Sequence, residues 1–198
     1  MITSLLLIAA AYLIGSVSSA IIVCRLMGLP DPRTQGSNNP GATNVLRFGG
    51  KKAAAVTLLG DSLKGVLPLV AGHFLGVSPA VLAATGLGAF LGHLYPIFFG
   101  FRGGKGVATA LGVQVGLYWP IGLSVAGLWL VMAKTVKISS VSALVSMGLA
   151  PVLVWVFWPE PFLVAMQVVI TGILFWRHRS NIRKLLTGSE DRIAAERK

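Results

Sequence analysis

The chain has 198 residues, of which 55% are hydrophobic and only 12% charged, and its mean hydropathy is +0.78. That balance excludes an ordinary soluble domain and fits a single integral membrane unit covering residues 1–198. The net charge of +11 would suggest nucleic acid if the chain were soluble, but here it is first sorted by side of the membrane; one cysteine, Cys24, excludes a disulfide framework or a cysteine metal cluster.

Leu5 to Ile14 followed by Ser18-Ser19-Ala20 has the outline of a signal peptide. No Lys or Arg precedes it, however, and Ile21-Ile22-Val23 carries the apolar run past the supposed cut, so Thr3 to Cys24 reads as a retained helix. A spanning helix needs ~20 apolar residues, and the next candidates are Ala53 to Leu75, Ala80 to Phe99, Ile138 to Phe157 and Phe162 to Trp176. Val107 to Ala133 is long for one span and is interrupted by Tyr118-Trp119-Pro120, which divides it into two short helices. The chain is therefore expected to be an all-α polytopic protein with seven transmembrane helices.

Charge supports seven over six. With seven, Arg25, Arg33, Arg47, Lys51, Lys52, Arg102, Lys105, Lys134, Lys137 and the basic tail from Arg177 onward share one side. The opposite loops, around Gly72 to Ser78, Tyr118 to Pro120 and Trp158 to Pro161, carry no Lys or Arg. The basic side is then cytoplasmic, with the C-terminus there and the N-terminus outside. The last ~8 residues read as a flexible basic tail. Asp61 and Lys64 fall outside this sorting: at ~1.5 Å per residue from Lys52, Asp61 lies ~13 Å deep. At spacing i to i+3 the two can face each other, either as a packing ion pair or as the polar floor of a cytoplasm-facing cleft. Alternatively, residues 53–60 lie along the interface.

Four polar clusters share the basic side. The first, Asp31 to Asn44 with Arg47 beyond it, contains Gly36-Ser37-Asn38-Asn39-Pro40-Gly41-Ala42-Thr43-Asn44. Its glycines permit turns, Ser37, Asn38, Thr43 and Asn44 offer hydrogen-bond groups, and a helix opening near Pro40 would aim free amides at an anion that Arg47 helps to hold. The second, Gly100 to Thr109, sets Gly103, Gly104 and Gly106 around Arg102 and Lys105 just before a helical run, a combination that cradles phosphate. It is not a Walker A loop, since Gly106 follows the lysine where Ser or Thr is required. The third, Lys134 to Ser142, places Ser139, Ser140 and Ser142 at a helix start, where hydroxyl capping is the default explanation. The fourth runs from Arg177 to Lys184 and continues to Glu190; within it His178 and Asn181 lie one helical turn apart.

His93, just before the Gly-rich loop, reads as packed near the interface, with a catalytic role as the alternative, and His73 as structural or solvated near the outer face. The histidines are scattered and no His-x-x-x-His exists, so no metal site is expected and no cofactor is implied.

Taken in series, Tyr12-Leu13-Ile14-Gly15-Ser16, the Gly36 to Asn44 loop, Asp61-Ser62-Leu63-Lys64-Gly65, Gly92-His93-Leu94-Tyr95-Pro96, Gly103 to Thr109, His178-Arg179-Ser180-Asn181 and Leu185 to Glu190 closely resemble the membrane-integral bacterial acyl-phosphate:glycerol-3-phosphate acyltransferases. One departure is Asn38-Asn39 in a loop that usually reads Gly-Ser-Gly-Asn; it leaves Ser37 and Asn39 in place. The resemblance implies acyl transfer from acyl-phosphate to the 1-hydroxyl of glycerol 3-phosphate, at the cytoplasmic face of a bacterial inner membrane, as the first acylation of phospholipid synthesis. His178, Asn181, Lys105 and Ser37 are the implied catalytic residues. Phosphate and substrate would be held by Ser37, Asn39, Thr43, Asn44, Arg47, Arg102, Gly103, Gly104, Lys105, Gly106, Ser139 and Ser142. The partners implied are the two substrates and the bilayer, without nucleic acid. The rival reading is a small transporter of an organic phosphate or anion, which would place polar groups near the midplane with access from both sides. A noncatalytic scaffold would not need two Gly-rich polar loops.

Overall fold

The computed structural model describes residues 1–193, and among them all extended regular structure is helical. The elements are α1 (Ile2–Gly15), α2 (Ser19–Leu26), α3 (Ala42–Phe74), α4 (Pro79–Leu94), α5 (Val107–Leu117), α6 (Trp119–Thr135), α7 (Ser139–Phe157), α8 (Pro161–Arg177) and α9 (Arg179–Leu186), with a 3-10 turn at Ile97–Phe99. Three stretches, Ala42–Phe74, Pro79–Phe99 and Ser139–Phe157, are long and apolar enough to cross a membrane, and two bent pairs, α1–α2 and α8–α9, bring the number to five.

Two helix boundaries differ from expectation. The first segment is not one helix: it breaks at Ser16-Val17-Ser18 and bends by 42° between α1 and α2. The Lys64 ammonium, 2.9 Å from the Val17 carbonyl, satisfies a group that the break releases, which explains how broken backbone persists there. The second difference is at α3, which begins at Ala42 rather than Ala53. Gly50, at φ 77 and ψ 179, kinks the element, so the expected opening near Pro40 and the expected span beyond Lys52 are two arms of one helix. The break at Tyr118-Trp119-Pro120 is present: Tyr118 is extended and Pro120 sits in the first turn of α6.

The bundle is tied together where backbones approach closely. A Cβ on Gly112 of α5 would lie 2.0 Å from the Ser62 carbonyl oxygen of α3, and one on Gly65 of α3 would lie 2.3 Å from that of Thr109. Only glycine allows α5 this near to α3, and the result is a small-residue seam of the kind that packs helices where no water drives them together. Thr109 adds a hydrogen bond of 2.9 Å from its hydroxyl to the Asp61 carbonyl. Around the seam, Leu69, Phe90, Leu94, Val113, Ile121, Met147, Leu163, Ile170 and Leu174 form the buried apolar core.

The Asp61 carboxylate and the Lys64 ammonium pair at 2.9 Å, both almost wholly buried. Lys64 thus serves two partners, the carboxylate and the Val17 carbonyl. His93 lies 3.8 Å from the same carboxylate oxygen. His73 is held by the Leu117 carbonyl at 3.0 Å and stacks on Trp158, joining the end of α3 to the α5–α6 break. Cys24 is buried among Ala20, Val23, Val45 and Ala53 as a small apolar residue.

Candidate active site

The first polar loop is folded around one side chain. The buried Asn44 amide nitrogen donates to the carbonyls of Pro32, Gln35 and Asn39, and its oxygen accepts from the Ser37 amide at 2.9 Å. This internal staple fixes the turn through Gly36 and Asn38, both at positive φ, and presents Ser37, Asn38 and Asn39 along one rim. Asp31 and Arg33 brace the loop with a two-pronged pair at 3.0 and 2.7 Å, and a further guanidinium nitrogen of Arg33 donates to the Phe99 carbonyl at 3.2 Å.

The second loop lies against the first. A Cβ on Gly104 would meet the His93 ring nitrogen Nε2 at 2.3 Å and the Pro40 carbonyl at 3.1 Å, so this residue sits between the two loops with room for backbone alone. The amides of Gly103 and Gly104 donate to the carbonyls of Leu94 and His93 at 3.2 Å each. Gly106, at φ 88, then turns the chain over the Phe90 ring into α5. The positive end of α5 therefore opens at the loop that carries Lys105.

The third component is the turn from α8 to α9 with the tail behind it. His178 ends α8, and its Nδ1 donates to the Leu174 carbonyl at 2.8 Å, because a carbonyl oxygen only accepts. That fixes the tautomer and leaves Nε2 with the lone pair. Asn181, in the first turn of α9, accepts from the Lys105 ammonium and donates to Glu190 at 2.6 Å. Glu190 also receives the Ser140 hydroxyl at 2.7 Å. Asp191 lies 3.7 Å from the Arg47 guanidinium, which reaches the Arg192 carbonyl at 3.3 Å; the Ile193 amide bonds the Lys137 carbonyl.

These parts border an open polar cavity of about 260 Å³ lined by Ser37, Asn38, Asn39, Gly103, Lys105, Arg177, Arg179 and Ser180. Burial pushes the Lys105 ammonium down to about 8; Lys184, Arg177 and Arg47 add to the shift, and Glu190 opposes it. A cation held in a partly dry, cation-rich place is a ready partner for a multiply charged anion. Burial also takes His178 down to about 4, against the pull of the Leu174 carbonyl, so its imidazole is neutral at pH 7.

Of the residues expected from sequence, Ser37, Asn39, Gly103 and Lys105 line this cavity together. His178 is buried and absent from the lining, although its chain neighbours Arg177 and Arg179 belong to it. Gly104 and Gly106 hold the loop that forms its wall. Asn44 is spent on the first loop, and Arg102 is exposed beyond the 3-10 turn, outside the lining. Thr43 and Ser139 bond each other at 3.0 Å, while the Ser142 hydroxyl turns back onto the Ile138 carbonyl. Arg47 is engaged by the tail. The hydroxyls of Ser139 and Ser140 reach across to α3 and to the tail, where capping of their own helix was the default expectation.

Sequence reasoning gave Ser140 only the part of a helix cap and no individual part to Arg177 or Glu190. A signal for Glu190 was present: it is one of only six acids in the chain and follows a basic run. Arg177 was hidden among the cations expected of any cytoplasmic helix end.

Residues 5–188 match the family model described as glycerol-3-phosphate acyltransferase. A glycerol-3-phosphate acyltransferase of Hydrogenovibrio crunogenus is 59% identical over 94% of this chain and 90% of its own length. That of Thioalkalivibrio sulfidiphilus is 55% identical over 97% and 95%. Among solved structures, the glycerol 3-phosphate form of PlsY, an integral membrane glycerol 3-phosphate acyltransferase, superposes with a TM-score of 0.91 at 40% identity, covering 96% of this chain and 95% of that one. The lysophosphatidic acid form of the same protein gives 0.89 at 39% identity over the same shares.

Proposed function

Because this chain belongs to the glycerol-3-phosphate acyltransferase family, we propose that its acyl donor is an acyl-phosphate and that it acylates the 1-hydroxyl of glycerol 3-phosphate. The chain is a membrane acyltransferase of phospholipid synthesis acting on glycerol 3-phosphate; the donor, the position acylated and the residue roles are the proposal. The observation that carries it is the cavity where the Ser37 to Asn39 rim faces Gly103, Lys105 and the Arg177 to Ser180 turn. Cations and free amides there suit two phosphate groups, and among the described residues the His178 ring bonds a backbone carbonyl, with no carboxylate hydrogen-bonded to it to make a strong base of it.

The hydroxyl oxygen of glycerol 3-phosphate attacks the acyl carbon, the acyl carbon–phosphate oxygen bond breaks, and 1-acyl-glycerol 3-phosphate and inorganic phosphate leave. Lys105 and the Gly103 to Gly106 backbone bind one phosphate. Ser37, Asn39, Thr43 and Arg47 hold the other and orient the glycerol, with Ser139 backing Thr43 from α7. An acyl-phosphate is already an activated mixed anhydride, so holding it in line and neutralising its charge supplies much of the rate. A histidine brought to about 4 is a weak base, so His178 and Asn181 orient groups while the departing phosphate takes the proton.

We place the site at the cytoplasmic face of a bacterial inner membrane, in one unit of seven crossings with the N-terminus outside. The basic loops and the uncharged opposite loops support that reading. The deciding experiment offers palmitoyl-phosphate and palmitoyl-CoA separately to purified protein with radiolabelled glycerol 3-phosphate. Labelled lysophosphatidate from the acyl-phosphate alone is expected, and loss of at least about a hundredfold in kcat/KM for Lys105→Ala. Product from the CoA ester alone would overturn the donor.

A further inference from the structure

The wall of the cavity formed by Gly103 and Gly104 is bonded on both sides. Its two N–H groups are taken by the end of α4, as described above. Its two carbonyls are taken by a single nitrogen of Arg177, at 3.1 Å from Gly103 and 2.9 Å from Gly104. The Arg177 guanidinium is itself placed over the Tyr95 ring, 5.8 Å from its centre, and the Tyr95 carbonyl accepts the Tyr12 hydroxyl at 2.8 Å. The last residue of α8 is thereby anchored through α4 to α1.

This arrangement has a geometric consequence. In a trans peptide the N–H points opposite to the C=O, so fixing the Gly104 carbonyl fixes the direction of the Lys105 amide. Among the described residues nothing accepts from the amides of Lys105 and Gly106. These are the loop's donors for an anion, and Lys105 starts from the same stretch of backbone.

We propose that Arg177 is a positioning residue for acyl transfer: it holds the Gly103 and Gly104 carbonyls so that the Lys105 and Gly106 amides and the Lys105 ammonium meet a phosphate, without itself binding the substrate. A lysine at this place also carries several donors, but its ammonium sits on a flexible stem and lacks the fixed plane in which the guanidinium is held over Tyr95. The proposal rests on the reading of Gly103 to Gly106 as a phosphate site.

The test uses the full chain, with palmitoyl-phosphate and glycerol 3-phosphate varied in turn. Arg177→Met is expected to raise the KM for one of the two substrates by about tenfold or more, with a smaller fall in kcat and a melting temperature within a few degrees of the parent. Arg177→Lys recovers part of the loss. Gly103→Ala disturbs the same wall directly, because its Cβ would lie 2.0 Å from the His93 carbonyl. On that background Arg177→Met should add little, about threefold at most, since both changes remove one and the same arrangement. Three results would each overturn the proposal: unaltered kinetics in Arg177→Met; full multiplication of the two losses, which would make Arg177 a direct ligand; or a loss that merely tracks the fraction of folded protein. A fully active Lys105→Ala would instead strike the phosphate-site reading beneath it.

Discussion

At the scale of residues, the charge on Lys105 is the quantity the site controls most directly. Buried among other cations, it keeps its proton up to about pH 8, where an exposed lysine would keep it to about 10.4. The charge is present below that value and is lost as pH rises through it. The upper limb of kcat/KM for the substrate held by this loop is therefore expected near pH 8, falling about tenfold per unit beyond it. The Glu190 carboxylate works in the opposite sense, raising the Lys105 value. Glu190→Gln should move the limb to lower pH, and a pH profile on protein that elutes as the parent does would check it. An unmoved limb would assign the titration to another group. Lys105 itself was legible in the sequence because three glycines and a helix start crowd around it. Asn44 was legible only as a polar group in a polar loop; that it donates to three carbonyls and accepts one amide depends on backbone turns that no spacing encodes.

At the scale of elements, the buried pair on α3 does more than neutralise itself. Lys64 also holds the carbonyl freed between α1 and α2, so one side chain links the pair to a broken helix. Removing only the cation leaves a carboxylate alone in the bundle, a change that typically costs about 3–5 kcal/mol. Lys64→Met is expected to lower the melting temperature in detergent sharply. The double variant Asp61→Asn with Lys64→Met should recover part of the loss while the Val17 carbonyl stays unbonded. If the double variant were no better than the single one, the pairing with Asp61 would not be what Lys64 supplies. The break itself was not readable in Leu13-Ile14-Gly15-Ser16-Val17-Ser18, where small polar residues sit comfortably within a membrane helix. By contrast, the break after Leu117 was readable because Pro120 and two interfacial aromatics announce it. The kink at Gly50 belongs with the first case: a glycine pair before Lys51 permits a turn but does not require one.

At the scale of the whole molecule, charge and chemistry point to the same face. Residues of the candidate site come from the loop before α3, the loop before α5, the start of α7 and the α8–α9 turn, all of them connections on the basic side of the seven-segment reading. The orientation is checked by replacing Cys24 with alanine and placing single cysteines at the exposed positions Ser78 and Ser189. In right-side-out spheroplasts a membrane-impermeant maleimide should label Ser78→Cys, and Ser189→Cys only after lysis. Reversed labelling would invert the topology and detach the site from the cytoplasm. The membrane character and the clustering of motifs were legible because burial in lipid demands long apolar runs and few charges. Joining the clusters into one cavity was not, since it depends on which helices touch.

Arg177, His178, Asn181 and Glu190 all follow both Gly-rich loops along the chain. A ribosome that has delivered both Gly-rich loops to the membrane has still not delivered the guanidinium that bonds the Gly103 and Gly104 carbonyls or the acid that engages Asn181 and Ser140. On the roles proposed above, a chain stopped before Arg177 holds both Gly-rich loops without the groups that bond the second of them and Lys105, so competence for acyl transfer is expected only once Glu190 has been made.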